Sequence, residues 1–293
     1  MIYKRFYDTN AFYDAAFSIL LKHEAQNSIP LGNVIVGNNG GEPDGWRNIK
    51  NWYMSTVADD AGNIKLVSIM TPPFNLTMYE TDNLPDDKAL NCLCDNICEE
   101  NINIPGITSE NKLAERFARI YTNKMNLKYK VHKNMRVYIL YEVNKNIQII
   151  GNLRKAEKRD LNFLPYWHNG FNDDCDLGNQ DIMEAVKSVE RAIEHEMLYV
   201  LEDNGMPVTM ASALRQTQNG RCVGMVYTPP YFRKSGYATS CVAQVSQKVL
   251  DMGNQFVSLF TDISNPTSNS IYQKIGYKPI CDYNEVRFQQ PVS

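Results

Sequence analysis

Apolar residues recur along this chain with two periods, and the second half shows them most cleanly. Met197 to Glu202, Pro207 to Arg215 and Arg221 to Tyr227 are short runs of strand character. From Ala238 to Met252 the period changes. Ala238, Cys241, Val242, Val245, Val249 and Met252 fall on one helical face, and Gly253 supplies a C-terminal stop. Phe256 to Phe260 is a nearly continuous apolar run, as expected of a strand covered on both faces. A further helix is predicted from about Gln180 to Glu196.

The first half reads less sharply. Asp8, Thr9 and Asn10 are plausible caps for a helix running to about Gln26, followed by a Gly- and Asn-rich loop from Gly32 to Gly45. Strands are predicted near Trp52 to Val57 and Ile64 to Met70, across the turn Asp59 to Asn63. Helices follow near Asp86 to Glu99 and Ser109 to Asn126, then a strand near Arg136 to Val143. The strand ending at Met70 runs into Thr71-Pro72-Pro73, and the one ending at Tyr227 into Thr228-Pro229-Pro230. Two halves with one order of elements and one break imply a tandem duplication. The polar stretch Asn144 to Asp160 holds the boundary, placed near Ile150, giving domains 1–150 and 151–293.

The richest stretch for chemistry is Val223 to Ala238, in which a strand meets two prolines and then a helix start. A helix N-terminus has unpaired N–H groups and partial positive charge, which suits a phosphate group. Gly236 admits close backbone approach, Ala238 adds little bulk, and Arg233 and Lys234 carry fixed charge. The pattern R-x-x-G-x-A over Arg233 to Ala238 resembles the acyl-CoA loop of the GNAT superfamily of N-acetyltransferases. A second stretch, Asn265 to Tyr277, is similar to the other GNAT signature in its spacing N-x-x-S-x-x-I-Y-x-x-x-G-Y. The resemblance covers about Leu201 to Phe288 and implies an α/β (α+β) fold with a mixed, mostly antiparallel central sheet flanked by helices. With the duplication, it implies two GNAT-like domains in tandem.

The resemblance also implies a reaction, transfer of an acetyl group from acetyl-CoA to a primary amine. The main chain of Met225, Val226 and Tyr227 is expected to pair with the pantetheine arm. Amides from Arg233 through Lys234, Ser235, Gly236, Tyr237, Ala238 and Thr239 are expected to hold the pyrophosphate, with Asn265 and Asn269 also touching the donor. Lys274 is a weaker candidate for the same ligand. Tyr272 stands where the family places its general acid. No carboxylate lies in Arg221 to Tyr227, so the base is open between Asp262, Glu202 and a water chain. In the aromatic stretch Asp160 to Cys175, Phe163, Tyr166, Trp167 and Phe171 are candidate pocket walls or packing residues, and His168 is the one histidine near them.

The first half shares none of this loop. From Asn63 to Pro105 there is no glycine, and between Lys65 and Lys88 no basic residue, while Glu80, Asp82, Asp86 and Asp87 crowd the stretch. A pyrophosphate would meet like charge there, so this half is expected to leave CoA alone and to serve acceptor binding, stability or homodimerisation.

Composition narrows the remainder. A formal charge of −3, with 43% hydrophobic and 22% charged residues, fits a globular protein without a general nucleic-acid-binding surface. The early apolar run Ala15 to Leu21 is too short to span a bilayer, and the N-terminus lacks a signal core, so no membrane partner and a cytoplasmic location are expected. Seven cysteines without an export signal imply reduced thiols. Cys92, Cys94 and Cys98 are expected to pack on a helix rather than hold a metal.

Overall fold

A computed structural model describes residues 1–41, 48–81, 87–178 and 180–290. The chain forms two compact units, one of residues 1–137, 261–264 and 280–293, the other of residues 138–260 and 265–279.

The element order is duplicated. The first repeat runs β1 (Ile2–Phe6), α1 (Thr9–Leu21), α2 (Ser28–Asn38), β2 (Tyr53–Ala58), β3 (Ile64–Met70), β4 (Thr77–Glu80), α3 (Lys88–Glu99), β5 (Gly106–Glu110), α4 (Asn111–Met125) and β6 (Lys128–Leu140). The second follows the same order, with β7 (Asn152–Lys155), α5 (Leu164–Asp174), α6 (Ile182–Glu194), β8 (Leu198–Asp203), β9 (Met206–Gln216) and β10 (Gly220–Tyr227). It ends with α7 (Tyr237–Asp251), β11 (Phe256–Asp262), α8 (Pro266–Ile275) and β12 (Lys278–Gln289). The tandem fold expected from the sequence is therefore present.

Its register is not the one that the Thr-Pro-Pro pair suggests. Thr71-Pro72-Pro73 follows the third strand of its repeat, β3, whereas Thr228-Pro229-Pro230 follows the fourth, β10. Element order sets β4 opposite β10 and α3 opposite α7. The shared tripeptide is thus a coincidence of two different strand ends, and the duplication rests on topology. Two more expectations change. Much of the loop predicted over Gly32 to Gly45 is α2, with Leu31 and Val34 buried, while Gly45 lies outside the described residues. The helix expected to reach Gln26 ends at Leu21.

In the first unit, β1 to β4 form an antiparallel sheet. Alternate residues face opposite cores, as a pleated strand requires. Leu66 and Met70 join Leu93, Ile97 and Phe117 on one side, while Val67 and Ile69 join Phe12, Leu20 and Leu31 on the other. β5 pairs with β12, Gly106–Glu110 against Tyr283–Arg287, so the last strand of the second repeat completes this unit. Val286 and Phe288 accordingly pack into the first core.

In the second unit, β7 to β10 are again antiparallel. Tyr199 and Leu201 face the α7 side with Val242 and Val245, whereas Leu198 and Val200 face Leu164 and Val189 on the α5–α6 side. The end of β6, from Tyr138, belongs to this unit and lies beside β11. The boundary expected at Ile150 falls inside the unit rather than in a linker. There the Ile150 main chain exchanges hydrogen bonds with the Ser240 hydroxyl of α7, N–H to Oγ at 2.8 Å and Oγ–H to the carbonyl at 2.7 Å.

Candidate functional site

The site begins where two strands stop pairing. β10 and β11 run parallel with Gly220, Arg221 and Cys222 opposite Phe256, Val257 and Ser258, and the ladder ends there while both strands continue. On its other side β10 loses register with β9 between Gly224 and Tyr227. Met225 has φ +50°, and a non-glycine residue in that region marks a bulge that re-aims the strand. The consequence shows in the packing. Val223 and Val226 face the α7 core, and Met225 and Tyr227 face the α5 core, an alternation that a regular strand would break.

Beyond the bulge opens a cavity of about 670 Å³, lined by Val226, Thr228, the loop into α7, and the first turns of α8. Gly236, at φ +83°, turns the chain into α7, a conformation that costs an L-residue with a side chain roughly 1–2 kcal/mol. A Cβ there would also come within 3.3 Å of Ile150 Cδ1. No side chain caps α7, so its first amides present their N–H groups at the cavity. Arg233, Lys234 and Lys274 line the same space against one carboxylate, Asp174. The field is net positive beside a positive helix end, which favours an anion.

Most of the residues singled out in the sequence converge here. Val226, Arg233, Lys234, Gly236, Tyr237, Ala238, Thr239, Asn265, Tyr272 and Lys274 line the cavity. Ser235 is exposed and outside the lining. Asn265 caps α8, its side chain accepting from the Ser268 N–H at 3.0 Å. Asn269 instead accepts the Tyr138 hydroxyl at 3.0 Å and donates to the Asn265 carbonyl at 2.7 Å. Tyr237 donates its hydroxyl to Asp203 at 2.6 Å.

Tyr272 is 8% exposed and sits between the rings of Tyr138 and Tyr277, with centroids 6.2 and 6.0 Å away. Burial is the largest influence on its phenol and raises its pKa well above the ordinary value, with the thiols of Cys175 and Cys222 adding to it. The phenol is therefore protonated at neutral pH.

The proposed bases lie elsewhere. Asp262 belongs to the other unit and accepts both the N–H and the hydroxyl of Ser264, at 2.7 and 2.6 Å. Glu202 is held by Arg154, whose guanidinium also grips buried Asp160. Phe163 and Trp167 meet at a tilt of 57° with ring centres 4.6 Å apart and pack with Tyr227 in the α5 core, while Tyr166 is exposed. Phe171 is half-buried in the same cluster. His168 has its ring nitrogens buried, and burial lowers its pKa despite the nearby Gln180 side chain.

Two residues of the site carried no signal in the sequence. Ile150 buttresses the α7 turn from a segment that reads as a polar linker, and Asp174 reaches the cavity from the end of α5. Neither belongs to a spacing pattern.

In the first repeat the corresponding stretch between β4 and α3 is acidic where it is described. Arg116 of α4 joins Glu80, at the end of β4, to Asp87, at the start of α3, at 2.7 and 2.8 Å. Asp82 and Asp86 lie outside the described residues. Cys94 is buried on α3, and the Cys98 thiol points at the Met125 sulfur at 3.4 Å. Among the described residues no three side chains are grouped to hold a metal ion, and no helix is long and apolar enough to cross a membrane.

Comparison with known proteins bears on the fold. Residues 203–287 match the family model described as FR47-like protein. A GNAT-family acetyltransferase from Colwellia psychrerythraea superposes over 99% of both chains, with 11% identity and a TM-score of 0.56. The chain has the GNAT fold. A Drosophila protein is similar over 99% of both chains at 10% identity and a TM-score of 0.66. A GCN5-related N-acetyltransferase from Sphaerobacter thermophilus is similar over 92% of this chain and 94% of its own, at 13% identity and a TM-score of 0.59. No curated protein matches the chain. In this GNAT fold the opened strands, the uncapped α7 and Tyr272 all fall in the second unit.

Proposed function

We infer that the second unit binds acetyl-CoA in the gap past the β10–β11 ladder and transfers its acetyl group to a primary amine. The observation that carries this reading is the uncapped N-terminus of α7, which opens on a cavity with three cationic side chains and the free end of β10. The amides of Gly236 to Thr239 hold the pyrophosphate. Met225 and Val226, outside the β9 register, offer main-chain groups to the pantetheine arm as an added strand would.

The amine nitrogen attacks the thioester carbonyl, and an amide bond forms as the carbon–sulfur bond breaks. A main-chain N–H at the bulge supports the oxyanion, and Tyr272 gives its proton to the departing thiolate. Burial disfavours the phenolate left behind, but it disfavours the thiolate as well, so the exchange stays close to balance in a dry site. Glu202 and Asp262 are both engaged by other groups, which favours water as the carrier of the amine's proton.

The first unit leaves CoA alone, because Glu80 and Asp87 stand in place of a phosphate loop. The acceptor is a small molecule or a protein amine, and the protein works in the cytoplasm.

Isothermal calorimetry tests the reading directly. Acetyl-CoA should bind the full chain at micromolar levels with one site per chain, and Gly236→Glu should abolish the signal. Absence of binding to the wild-type chain would end the proposal. Binding without turnover across a panel of amines would leave a CoA-binding protein instead.

A further inference from the structure

Arg233 has the motif position expected to face the donor, yet its guanidinium is already engaged on three sides. Its Nη2 donates to Asp174 Oδ2 at 2.6 Å, its Nε donates to the Thr228 carbonyl at 2.9 Å, and its face lies 5.7 Å from the centre of the Tyr227 ring. Asp174 is the last residue of α5. α5 also meets Tyr227 directly, since Gly170 lacks the Cβ that would collide with the Tyr227 hydroxyl, and Trp167 lies 6.4 Å from the same ring. Arg233 therefore ties the end of α5 to the loop that enters α7, across a cavity that both charged groups line.

We propose that Asp174 is an internal competitor of the donor, holding Arg233 until a phosphate group displaces it and so releasing the end of α5 only once the donor is bound. This rests on the reading of the cavity as an acyl-CoA site. The chemistry is that of two anions competing for one guanidinium. The diphosphate offers the guanidinium paired oxygens as a carboxylate does and carries two charges over its two phosphates, so it wins the exchange when the amides of α7 hold it alongside. Both partners of the ion pair are partly exposed, at 42% and 48%, so the pair is weak enough to open. The released Asp174 then leaves a free carboxylate at the α5 side of the cavity, which makes donor-first binding the natural order for a cationic amine.

A double-mutant cycle on acetyl-CoA affinity tests the competition in the full chain. Asp174→Asn should tighten acetyl-CoA binding by about threefold to fivefold, the range that an exposed ion pair supports. In the Arg233→Gln background the same change should have no effect, because nothing remains to compete for. Equal tightening in both backgrounds would mean simple repulsion between Asp174 and the donor, and would overturn the proposal. Unchanged or weaker binding by Asp174→Asn would overturn it too. Wild-type protein that binds no acetyl-CoA would instead sink the assignment of the cavity, so the two failures are distinguishable.

Discussion

At Tyr272 one side chain is both buried among aromatic rings and part of the lining of the cavity. Replacing it by Phe keeps the ring contacts with Tyr138 and Tyr277 and removes only the proton. Tyr272→Phe should therefore bind acetyl-CoA as the wild type does while kcat falls by about 10²-fold, the lower end for loss of a general acid. Calorimetry and thiol release separate the two effects, and unchanged kcat would move the proton donor elsewhere. The sign of the pH dependence follows from burial. The folded phenol holds its proton more tightly than the unfolded one, whose pKa is about 10. Any stability due to this group is complete below about pH 10 and is lost as pH rises further, and kcat should show no descending limb from Tyr272 below that pH. The role proposed for this residue rests on the spacing of Asn265 to Tyr277. Asp174 shows the opposite case. A carboxylate at a helix end carries no mark in the sequence, and only the path of α5 brings it to the cavity.

Among the elements, the turn from β10 into α7 was legible because glycine, proline and charge punctuate it. The strands and helix around it follow from apolar period, and the predicted bounds Arg221 to Tyr227 and Ala238 to Met252 come within a residue of β10 and α7. What stayed hidden depends on partners distant in sequence. α2 reads as loop because its glycines and asparagines lower helix propensity, and tertiary burial of Leu31 and Val34 overrides that. The bulge at Met225 shows in the sequence only as the isolated Gly224 beside it. Gly236 is where local conformation and ligand approach make the same demand. Gly236→Ala should destabilise the protein by about 1 kcal/mol through its positive φ. Its methyl group would also press Ile150, so acetyl-CoA affinity should fall by about tenfold as the loop shifts. Thermal unfolding and calorimetry report the two numbers, and an affinity equal to wild type would show that the loop does not need this conformation to hold the donor.

On the scale of the whole molecule, the proposed reading puts donor binding in the second repeat alone. The first repeat keeps the order of elements but fills its equivalent of the phosphate loop with Glu80, Asp87 and the Arg116 that neutralises them. Arg116→Ala should cost about 2 kcal/mol of stability, between the values for exposed and buried pairs, because Glu80 is left largely buried at 14% exposure. It should leave acetyl-CoA affinity unchanged, and a change there would mean that the first repeat takes part in donor binding.

The way the chain is divided between the units makes a stronger demand. A cut at Ile150 follows the sequence boundary, yet it would remove residues 280–293 from the first unit and Tyr138 to Ile150 from the second. The fragment 1–150 would lose the β12 partner of β5 together with Val286 and Phe288 from its core. The fragment 151–293 would lose Tyr138 and Leu140 from its core, and the Ile150 main chain that Ser240 holds beside the α7 turn. Each fragment would expose an unpaired strand edge as well as apolar surface, the condition under which sheet proteins aggregate. Neither fragment should give a cooperative thermal transition when expressed alone, and co-expression should restore a folded 1:1 complex that binds one acetyl-CoA. A monomeric, cooperatively folding 151–293 fragment would show that the second repeat is self-sufficient and needs nothing from Tyr138 to Ile150.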